Sequence, residues 1–155
     1  MSEFDDAVGK LFGSMSPHMR DLGFEIVSIG AGVCVAKIPY REELIGDPLT
    51  GVLHGGVVTS LLDSAGGAAV LSALQTPMPI ATLDLRIDYL RPSPPGQPML
   101  ARVECYKATK HVAFTRGIAY DASESDPIAS MSATYMLHTQ TSRTEGEGTS
   151  EGTSE

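Results

Sequence analysis

The longest continuous signal in the chain is the apolar segment that starts at His54-Gly55-Gly56 and runs helically to about Leu74, within GVLHGGVVTSLLDSAGGAAVLSAL. Its apolar residues fall on every side of a helix, and QTPMP closes it with two prolines. A helix apolar nearly all round is enclosed by other structure, whereas a surface helix shows one apolar stripe. The rest of the body has a period of two. GFEIVSIGAGVCVAKIPY alternates on both sides of Gly30 and Gly32, which predicts a hairpin. In ATLDLRIDYLRP, Leu83, Leu85, Ile87 and Tyr89 alternate with Asp84, Arg86 and Asp88, so one face is expected on a core and the other in solvent. Two further hairpins follow: PMLARVECY turns at KATKH into VAFTRGIAYD, which turns at ASESDP into IASMSATYMLH. Ala129, Met131, Ala133, Tyr135 and Leu137 share a side of the last strand.

Before the first hairpin, Asp5 to Leu22 reads as one or two short helices broken around Ser14 to Pro17, and Arg41 to Thr50 reads as a loop. The predicted fold is α+β: about six antiparallel strands wrapped around one long central helix. Residues 1–140 form a single domain in this reading, and 141–155, a near repeat of Gly-Thr-Ser-Glu, a disordered tail with nothing apolar to bury.

Composition narrows the partners. At 155 residues and 42% hydrophobic, the chain supports one domain with a real core. A net charge of -8 disfavours nucleic acid and anionic membranes, although the tail contributes part of it and the body is only mildly acidic. Cys34 and Cys105 lie in alternating apolar stretches with no ligand-spaced Cys or His, and read as reduced core residues. MSEFDDAVGKLF carries acids where a secretory signal carries bases, so the expected location is cytoplasmic. Val57 to Leu74 is apolar enough to be weighed as a membrane span, but Asp63 and Gly66-Gly67 sit at its middle and basic or aromatic anchors are missing.

Asp63 is the anomaly of the long segment. On a helix it groups with Thr59, Ser60, Gly66 and Gly67 in a small, polar stripe that lets another backbone or a ligand pass closely. No Lys or Arg between Gly51 and Thr76 neutralises it, so it either faces water, hydrogen-bonds locally, or is functional. At the other end, Gly55 and Gly56 leave first-turn amides open at the positive end of the helix dipole, where a carbonyl oxygen can be polarised. A tight strand-to-helix turn explains the same glycines. Asp63 lies roughly 12 Å from Gly55 along the axis, at 1.5 Å per residue. If one reaction needs both, a second copy must supply the acid, and two antiparallel helices would create two equivalent sites.

These segments resemble the hotdog-fold acyl-CoA thioesterases, in particular the phenylacetate-pathway (PaaI-type) branch. The likeness runs from LGFEIVSIGAGVCVAKIP through GVLHGGVVTSLLDSAGGAAV and TLDLRIDYLRP to ASMSATYML. It rests most on His-Gly-Gly, an acid seven residues after the second glycine, and the YLRP strand end. The resemblance implies hydrolysis of an acyl-CoA thioester at a dimer interface, dimers commonly pairing again to a tetramer, and no metal or organic cofactor. Gly55 would donate its amide to the thioester carbonyl, with Gly56 allowing close approach. Asp63 of the facing subunit would attack the carbonyl carbon or activate a water. His54 would orient the thioester or the preceding loop, and Thr82 would hold water or Asp63. Relatives often place an amide residue in the loop before His-Gly-Gly; this chain has no Asn at all, and Asp47 stands in that loop as a weak substitute. For the phosphates of CoA the candidates are Arg91, Lys107, Lys110 and His111, and for the acyl pocket Leu53, Val57 and Leu61. The competing readings are a non-catalytic acyl-CoA-binding module and a hydratase or dehydratase on the same fold.

Overall fold

A computed structural model describes residues 2–12 and 16–137. Two short helices, α1 (Glu3–Lys10) and α2 (Pro17–Leu22), lead into strands β1 (Glu25–Gly30) and β2 (Val33–Ile38). Next come a short ribbon of β3 (Ile45–Asp47) and β4 (Val52–Leu53), then the long helix α3 (Gly55–Leu74). Four strands complete the chain: β5 (Ile80–Tyr89), β6 (Met99–Ala108), β7 (Val112–Tyr120) and β8 (Ala129–Leu137). The main sheet has six strands in the order β1-β2-β6-β7-β8-β5, with every pair antiparallel. It wraps α3, whose Leu61, Leu62, Ala65, Ala68, Ala69 and Val70 are completely buried. This is the hotdog arrangement, and it explains the all-round apolar character of the segment.

Local chemistry places the elements. The β1–β2 hairpin turns through Ala31 (φ 50°) and Gly32 (φ 77°), the left-handed pair that a two-residue turn between twisted strands needs. Ser16 caps α2, Pro17 opens it, and Gly23 ends it in the left-handed conformation. Ser2 and Asp5 form a capping box on α1. The Asp5 carboxylate then reaches the far end of α3, accepting from Ser72 Oγ at 2.7 Å and Gln75 Nε2 at 3.1 Å.

Two sequence expectations are corrected here. Arg41 to Thr50 is more than a loop: a 3-10 turn, Glu42–Leu44, precedes β3, which pairs with β4. Gly46 permits this, since a Cβ there would lie 2.7 Å from His54 Cα. The alternation of β5 also fails to bury one whole face. Leu85 and Ile87 are half-buried, but Leu83 and Tyr89 are 54% and 55% exposed. The reason is position: β5 is an edge strand, and a bulge between Thr82 and Asp84 breaks its period. The tail expected over 141–155, and Ser14 within the predicted helix break, lie outside the described residues.

Candidate active site

The first turn of α3 is built as an amide-presenting corner. His54 is the N-cap, and its Nδ1 accepts the Gly56 N–H at 2.9 Å. A neutral ring that accepts at Nδ1 carries its proton on Nε2, which makes exposed His54 an outward donor. The His54 carbonyl accepts from Val57 N–H at 2.9 Å, fixing the peptide plane that carries the Gly55 amide. The next carbonyl, Gly55 O, accepts from Tyr89 OH at 2.9 Å and Thr59 Oγ1 at 3.3 Å. With Gly56 taken by His54, Gly55 is the amide of this pair left free by the cap, ahead of any carbonyl that the helix offers it. Gly55 lines a crevice of about 340 Å³ together with Leu53, Val58, Tyr89, Leu90 and Ser93.

Asp63 lies further along the same helix and is half-buried. Thr82 Oγ1 donates to its Oδ1 at 2.8 Å, and Tyr135 OH donates to the same Oδ1 at 3.2 Å and to the Asp63 carbonyl at 2.9 Å. Both side-chain donors therefore grip one carboxylate oxygen, and among the described residues no side-chain donor meets Oδ2. Burial first, and then the neighbouring Asp63 charge, push the Tyr135 phenol far above its usual range, so it remains a donor. Gly66 makes this possible: a Cβ there would overlap the Tyr135 hydroxyl. Tyr135 is the partner that sequence reasoning missed, and Gly66, grouped there with Asp63 as leaving room for another backbone or a ligand, leaves room for the Tyr135 hydroxyl. The alternation of β8 correctly buries Tyr135, at 2% exposure, but period cannot reveal that its hydroxyl ends on a carboxylate. The only hint was a glycine one helical turn after the acid.

The remaining candidates separate into groups. Thr82 meets Asp63, and Leu53 lines the Gly55 crevice, whereas Val57 and Leu61 are buried in the core. Arg91 also lines that crevice, but its guanidinium pairs with Asp121 and, at 3.1 Å, with Asp126, tying the end of β5 to the β7–β8 turn. Two carboxylates already balance its charge, so it is the poorest anion site of the basic candidates. Lys107, Lys110 and His111 are exposed on the β6–β7 hairpin, and neither lysine meets a carboxylate among the described residues. The register Thr82↔Tyr135↔Ala113↔Ala108 puts that hairpin on the same cross-strand row as the partners of Asp63. Three strand spacings separate them, roughly 14 Å. Asp47 holds Thr50 Oγ1 at 2.6 Å and Leu49 N–H at 3.0 Å, and these bonds keep its carboxyl below its ordinary range. Its carboxylate serves its own turn.

Known proteins share this frame of a long helix wrapped by an antiparallel sheet. Residues 50–128 match the thioesterase superfamily. The chain belongs to that superfamily. It is 30% identical over 143 residues to the medium/long-chain acyl-CoA thioesterase YigI of Escherichia coli, covering 84% of this chain and 91% of that one. A putative esterase of Halobacterium salinarum shares 38% identity over 94 residues, which span 57% of this chain and 62% of that one. Among solved structures, a mutant of the phenylacetic acid degradation protein PaaI from Thermus thermophilus superposes with a TM-score of 0.68 at 26% identity, covering 78% of this chain and 98% of that one. The thioesterase is thus an enzyme of thioester hydrolysis on a hotdog frame.

Proposed function

We propose that the thioesterase is of the PaaI type and hydrolyses acyl-CoA at a site shared by two subunits, with Asp63 of one chain facing Gly55 of the other. The observation that carries this reading is the half-satisfied carboxylate: Thr82 and Tyr135 hold Oδ1 and leave Oδ2 open. Within one chain Asp63 and Gly55 stand roughly 12 Å apart along α3, too far to act on one carbonyl. The exposed apolar edge of β5, with Leu83, Tyr89 and Leu90 each more than half exposed, supports pairing with a second copy. Two such dimers pairing again would complete a tetramer.

In the reaction, the Gly55 amide stabilises the oxyanion as the thioester carbon becomes tetrahedral. Asp63 either takes a proton from the attacking water or attacks the carbon itself; in both routes the C–S bond breaks, the CoA thiolate leaves, and water supplies the new oxygen of the acid. His54 Nε2–H is placed to orient the thioester from the rim, and Lys107 and Lys110 supply positive charge for the CoA phosphates. The proposed chemistry uses side chains, an amide and water. The likeness to YigI supports a medium or long acyl group, and the likeness to PaaI leaves aryl groups within the range. Thiol release from a panel of aryl- and straight-chain acyl-CoAs tests it: the wild type turns over at least one class and Asp63→Asn none. Turnover of every class by Asp63→Asn at the wild-type rate would refute the assignment.

A further inference from the structure

Beyond Asp63, on the same face of α3, Gly67 and then Leu71 follow at helical spacing. Leu71 forms one wall of a second cavity, of about 470 Å³ and open to solvent, bounded by Phe4, Val8 and Leu11 of the N-terminal segment and by Met78 and Pro79 before β5. Every residue lining it is apolar. Its size is that of a small-molecule pocket. It lies at a measurable distance from the carboxylate by two independent routes. Asp63 to Leu71 is roughly 12 Å along the helix, and Thr82, which touches Asp63, lies roughly 10 Å along the strand from Pro79.

The geometry points to this cavity as the site for the distal part of a straight acyl chain, and hence as the determinant of chain length; the inference rests on the reading of Asp63 as the reacting carboxylate. An extended alkyl chain advances about 1.3 Å per carbon along its zigzag. A four-carbon acyl group therefore stops well short of Leu71, and one of ten to twelve carbons enters the cavity. A lining without a charged side chain or side-chain hydroxyl suits a saturated tail and gives a polar ligand no side-chain partner. The passage is narrow at Gly67, where a Cβ would stand 3.2 Å from Phe12 Cζ and 3.3 Å from Ile80 Cδ1. Those atoms are a ring edge and a terminal methyl of half-buried side chains, so the tail passes by rotamer change with the backbone in place. Gly67 adds no side chain of its own to this passage, so Phe12 and Ile80, which fill it in the unliganded chain, are the groups that turn aside for the tail.

Ala7 and Leu11 line the cavity from its exposed rim, so enlarging them fills or reports on it without disturbing the core. In Ala7→Trp, kcat/KM for dodecanoyl-CoA relative to butyryl-CoA is expected to fall about tenfold, since each excluded methylene is worth roughly three- to fourfold and about two reach past Leu71. An unchanged ratio, or an equal loss on both substrates, would overturn the proposal while leaving hydrolysis by Asp63 intact. A second reading needs no turnover. The chain has no tryptophan, so Leu11→Trp in an Asp63→Asn background is a single emitter at the rim. Its emission should shift with dodecanoyl-CoA and not with butyryl-CoA. A shift with both, or with neither, would place the tail elsewhere.

Discussion

Asp5, set against the end of α3, and Asp63, within it, are both carboxylates that meet no cation in an ion pair among the described residues, and their surroundings differ. Asp5 is 3% exposed and fully engaged: the Ser2 amide and hydroxyl meet Oδ2, while Ser72 and Gln75 meet Oδ1. Burial works against its charge, but the hydrogen bonds prevail and bring its pKa down to about 2. Among the described residues, Asp63 receives its side-chain donors on Oδ1 alone. A carboxylate with both oxygens saturated holds structure together; one with a single oxygen held is oriented and still available. On the proposed reading, donor count on each oxygen, together with burial, separates a structural acid from a reactive one.

The sharpest contrast is between the two amide variants. Asp63→Asn should lower kcat by roughly 10²- to 10⁴-fold, the range for loss of a general base, with the melting temperature nearly unchanged. Asp5→Asn should do the reverse, keeping kcat and losing about 1–3 kcal/mol of stability through a mispaired buried group. Denaturant melts beside thiol-release assays read both, and a loss of turnover in Asp5→Asn equal to that in Asp63→Asn would erase the distinction.

Gly66→Ala probes the hold on Oδ1. The new methyl displaces the Tyr135 hydroxyl, so kcat should drop on the order of 10²-fold through misplacement of the acid. Overpacking should cost about 1–3 kcal/mol as well. Tyr135→Phe relieves the overlap, so the double variant should regain stability without regaining rate.

The smallest effect is the pH dependence that Asp5 confers. Its folded pKa, about 2, lies below the ordinary 3.8, so the native state binds the proton less readily than the unfolded chain does. The resulting stability is complete above about pH 4 to 5 and is lost as pH falls through 3.8 toward 2. Acid titrations of the wild type and Asp5→Asn should show a shallower decline for the variant in that window.

Much of the frame was legible because it rests on period and punctuation. The limits of α3 followed from His-Gly-Gly and QTPMP, and the three hairpins from alternation broken by turn residues. The contacts around Asp63 were partly legible. Thr82 was named as a partner of the acid, but Tyr135 lies 72 residues away in sequence and joins it only through the β5–β8 pairing. Arg91 was read as an open cation for the same reason: Asp121 and Asp126 reach it only once the β7–β8 turn has folded back. The open face of β5 was the remaining surprise, since alternation reports which side is apolar and is silent on whether this chain or another covers it.

Complementation between two inactive chains tests the shared site most directly. Gly55→Pro removes the amide at the first helical position, where proline is tolerated, and His54 already holds the extended backbone that must precede it (φ -61°, ψ 137°). Gly55→Pro and Asp63→Asn should each be inactive alone. Unfolded and refolded together in equal amounts, they should recover about a quarter of wild-type thiol release, because half of the random dimers carry one intact site of two. Mixed dimers that form and remain as inactive as the parents would contradict a site made from both chains.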